Sequence, residues 1–220
     1  MRLVLKIGGA VAAESAATAL ELAEEHELCV VHGAGPQISS EMERFGLAVR
    51  FVGGRRVTTP AALVLVRRAL ARVNDELCDA IGPRAVGLIG DEIGLRAVHV
   101  EGLGRVGDPL PSRPLAVEQA LATGMIPVVA PIAAGPLNVN ADEAAAALAV
   151  GLEADRLLFL SDVPGVLLDG AVAPTLAVGD ADRLIETGRL EGGIVPKVRA
   201  AATAARLGVH ALIGETAVVA

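Results

Sequence analysis

The chain has 220 residues, a net charge of −7 and 53% hydrophobic residues, with three Phe and neither Trp nor Tyr. That length buries a full core, as one large domain or as two small lobes sharing a sheet. No stretch clusters more than two adjacent basic residues, and no apolar run approaches the roughly 20 residues of a membrane span, so neither nucleic acid nor a membrane is an expected partner.

Leu3 to Ile7 reads as a buried strand that opens the chain without a leader pattern, and a cytoplasmic location is expected. An alanine-dense helix over about Ser15 to His26 follows, then a strand at Leu28 to Val31 that stops abruptly at His32-Gly33-Ala34-Gly35-Pro36. Proline after that turn suits the first turn of a helix running to about Gly46. Thr59-Pro60 caps a long helix, roughly Ala61 to Ala80, with Leu63, Val66, Leu70, Val73 and Leu77 on one stripe. Ala85 to Ile89, Leu95 to Val100 and the turn at Gly102 to Gly107 read as antiparallel hairpin material. Parallel order resumes with a helix near Val117 to Thr123, a strand at Ile126 to Ala130, a helix from Asn140 to Val150 and a strand at Arg156 to Leu160. A loop to Gly170, helices near Asp180 to Glu186 and Val195 to Leu207, and a strand at His210 to Ile213 complete the chain. Strands feeding helices through glycine or Asn/Asp turns make an α/β protein with a mainly parallel sheet, whose ligands sit beyond the carboxyl ends of the strands.

Several segments at those ends carry chemistry. Only two of the 19 cationic residues are lysine, Lys6 and Lys197, and both stand near glycine. An ammonium is a compact point charge that fits between phosphate oxygens, which a guanidinium fork does not; a biased composition is the other explanation. Gly8-Gly9 and Gly33-Ala34-Gly35 either aim peptide N–H groups at an anion or are tight turns, and neither matches G-x-x-x-x-G-K-[ST] or G-x-G-x-x-G. Asn138-Val139-Asn140-Ala141-Asp142 holds more polar side chains than one helix cap requires. Ser161-Asp162-Val163-Pro164-Gly165 is a nucleotide loop or an Asx turn. Lys197, in the first turn of its helix, opposes the helix dipole unless an anion sits there. Arg55 and Arg56 either grip a carboxylate or form a solvated pair. His26, His32, His99 and His210 make neither a triad nor a metal set, and no metal site is expected. Cys29 and Cys78 lack C-x-x-C spacing and are expected as free thiols. Two lysines, glycine loops and an aspartate supply charge neutralisation and positioning, most of what phosphoryl transfer needs.

The ordered segments K-I-G-G, V-V-H-G-A-G-P-Q-I, G-R-R-V-T, N-V-N-A-D, L-S-D-V-P-G-V and G-G-I-V-P-K-V resemble those of the amino acid kinase family, from Leu3 to about Gly208. The resemblance implies a three-layer α/β/α sandwich in two lobes: residues 1–153 for the acceptor and dimerisation, residues 154–220 for MgATP. Within the family the pattern is most similar to members that phosphorylate the side-chain carboxylate of N-acetyl-L-glutamate in arginine biosynthesis. By motif, Lys6 and Lys197 are then catalytic, held in orientation by Asp142. Gly8, Gly9 and Gly33 give N–H groups to phosphate. Gly33 and Ala34 line the reacting carboxylate, and Arg56 and Asn138 hold the α-carboxylate end. Asp162, Val163 and Gly165 lie along the nucleotide, which carries Mg2+. Ala34 replaces a usual glycine, which requires a negative φ. No extra N-terminal helix of the hexamerising kind is seen, so a homodimer without arginine feedback is expected. After Ile213 only Gly214 to Ala220 remain, where the family usually adds a helix before a Gly-Thr strand. Two alternatives stay open: a kinase for glutamate or aminoadipate carried on an acidic protein, met by a basic surface at Arg50, Arg55 and Arg56, and a non-catalytic sensor on the same fold.

Overall fold

A computed structural model describes residues 1–9, 15–160 and 163–220. In chain order the strands and helices are β1 (Arg2–Ile7), α1 (Ser15–Glu25), β2 (Glu27–His32), α2 (Gly35–Arg44), β3 (Phe51–Val52), β4 (Arg55–Arg56) and α3 (Pro60–Ile81). Then come β5 (Ala85–Ile89), β6 (Ala97–His99), β7 (Val106–Pro109), α4 (Leu115–Ala122), β8 (Ile126–Ala130), β9 (Ile132–Ala133), β10 (Leu137–Val139) and α5 (Ala141–Gly151). The remainder is β11 (Arg156–Leu160), β12 (Leu167–Leu168), β13 (Ala171–Val172), β14 (Thr175–Ala177), α6 (Val178–Glu186), α7 (Ile194–Arg206), β15 (His210–Ile213) and β16 (Thr216–Val219).

Eight strands form the main sheet in the order β14-β16-β15-β11-β1-β2-β8-β5. Every neighbouring pair is parallel except β15 with β16. Side chains alternate across such a sheet, and the two faces build two cores. Leu3, Leu5 and Ile7 of β1 join α1, α2 and α3 on one face. Val4 joins α4, α5, α6 and α7 on the other. The result is helix, sheet, helix, as the sequence implies. Lys6 shares the parity of Val4, which aims it at α5. His32, in step with Leu28 and Val30, is aimed at α3.

Local chemistry sets the helix starts. The Thr59 side chain accepts from the Ala62 N–H at 3.1 Å, with Pro60 as first residue of α3. The Asn140 side chain accepts from the N–H groups of Asp142 and Glu143 and so caps α5. This satisfies donors that the first turn leaves unpaired. The alanines of α5 and α7 are buried, which lets the two helices pack closely.

The structure corrects two expectations. Ala85–Ile89 is no hairpin arm: β5 pairs in parallel with β8 along its whole length and forms one edge of the main sheet. The hairpin lies further on, where β6 and β7 pair antiparallel within a second sheet of order β6-β7-β10-β9. Gly214 to Ala220 are not a bare end: a turn at Gly214 starts β16, which pairs with both β15 and β14. The buried Thr216 hydroxyl accepts from Val166 N–H at 2.8 Å and donates to the Ala173 carbonyl at 2.7 Å, tying β16 to the segment after β11.

Candidate active site

β1 and β2 are adjacent in the sheet, and their carboxyl ends carry Gly8-Gly9 and Gly33-Ala34. The two loops touch. A Cβ on Gly9 would stand 2.9 Å from both Ala34 Cα and the Gly33 carbonyl oxygen, so only glycine fits there. Gln37, in the first turn of α2, donates its amide to the Gly9 carbonyl at 2.9 Å and pins the first loop to that helix. Ala34 is the N-cap of α2 with φ −144, so the methyl that replaces glycine costs nothing in backbone strain. Gly33 departs from its expected role in one respect. Its N–H is given to the Ile7 carbonyl at 2.9 Å, continuing the β1–β2 ladder, so this peptide is not a spare donor for phosphate.

Asp142 sits at the centre. Its Oδ1 lies 2.7 Å from Lys6 Nζ, with both side chains less than a tenth exposed. Its Oδ2 lies 4.0 Å from Lys197 Nζ, which also reaches the Gly193 carbonyl at 3.4 Å. The two lysines of the sequence, far apart in the chain, thus converge on one carboxylate. Two ammonium groups held by one anion leave the cluster with net positive charge, and the N-terminal end of α5 adds to it. Lys197 stands in the first turn of α7, the unfavourable end for a cation, and Asp142 gives partial compensation.

Lys6, Gly8, Gly9, Gly33, Ala34, Arg56, Asn138 and Asp142 line one cavity of about 300 Å³. Arg56 reaches it from β4. Its guanidinium donates to the Gly35 carbonyl at 3.0 Å and Ser39 Oγ at 2.9 Å, and stacks 4.6 Å from the Phe51 ring centroid. The residue is 6% exposed and forms no ion pair with a carboxylate among the described residues. Burial pushes its pKa down from the usual arginine range, yet a guanidinium stays charged there. Asn138 on β10 donates one amide hydrogen to the buried Thr58 hydroxyl at 3.0 Å, and Thr58 donates to the Arg56 carbonyl at 2.8 Å. Thr58 therefore fixes both cavity residues, a role not legible in G-R-R-V-T.

Arg55 points elsewhere. It makes a forked pair with Glu143 (Nε to Oε2 3.0 Å, Nη2 to Oε1 3.0 Å) and reaches Asp108 Oδ1 at 2.7 Å. Asn140 adds to its capping a 3.3 Å donation to the Gly54 carbonyl. His32 is fully buried, and Asn74 Nδ2 lies 3.0 Å from its Nε2 while donating to the Val128 carbonyl at 2.8 Å. An imidazole that accepts at Nε2 carries its hydrogen on Nδ1, which faces the Gly33 carbonyl at 3.4 Å. Burial lowers this imidazole to about 4. His32 is thus neutral and braces the second loop from behind. Cys29 and Cys78 are free thiols, pushed by burial to about 12 and about 11 and so held unreactive.

Val163 and Gly165 line a separate cavity of about 210 Å³ with Leu167, Leu190 and Ile194. Its apolar side chains offer a flat ring something to lie against. Asp162 lies outside the described residues. Among those described, no cluster of His, Cys, Asp and Glu could hold a metal ion, and no helix is long and apolar enough to cross a membrane.

A doubly covered, mainly parallel sheet, with two lysines and an aspartate at its carboxyl edge, defines an α/β protein of the phosphoryl-transfer class. A model of the amino acid kinase family matches residues 1–214. Among curated proteins the chain is 44% identical over 194 residues to an acetylglutamate kinase of Roseiflexus castenholzii, covering 83% of this chain and 75% of that one. It is 41% identical over 220 residues to an acetylglutamate kinase of Rubrobacter xylanophilus, covering 96% and 87%. A crystal structure of a Streptococcus mutans UA159 protein superposes with a TM-score of 0.85 at 28% identity, covering 99% of this chain and 98% of that one. The chain belongs to the amino acid kinase family.

Proposed function

We propose that this protein uses ATP to phosphorylate the side-chain carboxylate of N-acetyl-L-glutamate, giving the acyl phosphate that arginine biosynthesis draws on. One observation carries the acceptor side: Arg56 is a buried cation with no carboxylate partner among the described residues, sharing a cavity with Lys6 and Asp142. A buried charge without a partner is costly, and a ligand carboxylate removes that cost. Acetylglutamate has two carboxylates, one for the Arg56 fork and one to react. Curated relatives at about 40% identity bear the name of this activity.

The reacting carboxylate is ionised at neutral pH, with a pKa near ~4.3 for a glutamate-like acid, so no general base is required. The obstacle is the approach of one anion to another. In this reading Lys6 neutralises the phosphoryl group in flight and Lys197 the leaving side, while Asp142 fixes the position of both. The Gly8 and Gly9 peptides border the phosphoryl path, and Gly33 contributes cavity wall. Ala34 lines the reacting carboxylate, and Asn138 offers its remaining amide hydrogen to the α-carboxylate end. Val163 and Gly165 border the adenine cavity. Mg2+ enters as the partner of ATP and offsets charge on its phosphates; it is assigned no ligand on the protein.

The division into residues 1–153 for the acceptor and 154–220 for the nucleotide draws support from the strand order, in which β1 neighbours β11. A homodimer has support in the open edge at β5, whose peptide groups lack a strand partner on one side among the described residues. A cytoplasmic setting, where ATP is supplied, belongs to the same reading. The carrier-linked alternative keeps only Arg50 exposed of its three arginines: Arg56 is buried and Arg55 is committed to Glu143 and Asp108. The sensor alternative predicts loss of a lysine or the aspartate, and all three are present and joined. The test is ADP release with acetylglutamate, glutamate, aspartate and aminoadipate, with hydroxylamine to trap acyl phosphate. Hydroxamate with acetylglutamate is expected; none with that acid sinks the reading.

A further inference from the structure

The β3–β4 ribbon is too small to hold itself in place. Each strand has two residues, and Phe51 and Val52 are exposed. Such a ribbon is marginal in water without outside contacts. Yet it presents Arg56 to the cavity, so its position must be fixed from elsewhere. The neighbouring side chain, Arg55, makes the strongest such tie among the described residues. Its fork engages Glu143 in the first turn of α5, one residue after Asp142, and its Nη2 also reaches Asp108 on β7. Arg55 and Glu143 are both about four-fifths covered, which spares the pair from full solvent screening. At the ribbon tip, Gly54 takes φ +82, and a Cβ there would stand 2.8 Å from Pro196 Cγ, in the turn that bears Lys197.

We propose that Arg55 is a positioning residue, a clasp that ties the ribbon to α5 and β7 so that Arg56 faces the acceptor in register with the Lys6–Asp142–Lys197 cluster. The inference rests on the acceptor reading above. Arg55 touches neither reactant; it acts through the ribbon.

The experiment is a double-mutant cycle in the full chain, Arg55→Ala, Glu143→Ala and both, read by steady-state kinetics and by hydrogen exchange of residues 50–57. Each single variant is expected to raise KM for acetylglutamate about tenfold, with the double variant no worse than either single, since the two groups act as one unit. KM for ATP and kcat at saturating acceptor are expected to stay near wild type, and ribbon amides to exchange faster in all three. Arg55→Lys keeps the charge but loses the fork, is the milder change should Arg55→Ala fold poorly, and should fall between. Additive effects, equal rises in both KM values, or unchanged ribbon exchange would overturn the clasp. If wild-type protein makes no hydroxamate from acetylglutamate, the functional reading fails, and the exchange cycle alone, which needs no substrate, upholds or overturns the clasp.

Discussion

At the scale of single residues, the site is an exercise in charge held out of water. Lys6 and Asp142 are buried at 2.7 Å, and breaking such a pair leaves an uncompensated charge that costs several kcal/mol, typically ~3–5. Asp142→Asn is therefore expected to lower the melting temperature and to cut kcat by about 10²–10³, the loss usual for one electrostatic stabiliser. Lys197→Arg separates shape from charge: it keeps the cation, and a steep fall in kcat with little change in thermal stability is expected. Turnover near wild type would show that a compact ammonium is not needed there. Arg56→Lys gives up the fork. A rise in KM for acetylglutamate of roughly ten- to a hundredfold is expected, from the ~1.5–3 kcal/mol of a charged hydrogen bond. His32 yields a pH signature. Its folded pKa of about 4 lies below the ordinary ~6.5, so the unfolded chain binds more protons between those values. The neutral-imidazole contribution is intact above about pH 6.5 and lost as pH falls toward about 4. Melting curves from pH 7 to 4.5 should show that loss in wild type and a shallower slope in His32→Asn.

At the scale of elements, what a segment does depends on what it meets, and this divides the legible from the hidden. The helices α1, α2, α3, α5 and α7 announce themselves by periodicity, by Thr59-Pro60 and Asn140 at their starts, and by runs of alanine. The strand cores β1, β2, β8, β11 and β15 are apolar runs between turn residues. Ala85–Ile89 has the same local character, but the direction of its pairing is settled by β8, some forty residues later, so the hairpin reading fails. The ribbon and the strands β14 and β16 are too short for any period, and β14 finds its partner β16 only some forty residues later. The same rule holds at the site. Lys6, Asp142 and Lys197 could be singled out by residue type, whereas Thr58, His32, Asn74 and Arg55 act through hydrogen bonds that no spacing encodes. The Thr59 cap offers a clean check on the element scale. Its side chain satisfies one N–H of an exposed helix start, so Thr59→Ala should cost about 1 kcal/mol in denaturant unfolding without altering KM for either substrate.

At the scale of the molecule, the proposed division puts both halves of the reaction on one sheet, in which β1 and β11 are parallel neighbours. Leu3 pairs with Arg156 and Ile7 with Leu160, so β1 cannot gain its second neighbour until most of the chain has been made. Parallel pairings across such separations slow folding, because a long loop must close before any contact rewards it. Until then β1 offers a bare edge flanked by apolar side chains. Pulse-labelled hydrogen exchange during refolding should find β2 and β8 protected before β11 and β15. Protection of all four at one rate would mean that the sheet condenses in a single event. The strand that bears the first lysine would thus wait with one side open long after it is made, and a ribosome pausing before Arg156 would leave exposed the edge on which newly made copies of this protein could stick to one another.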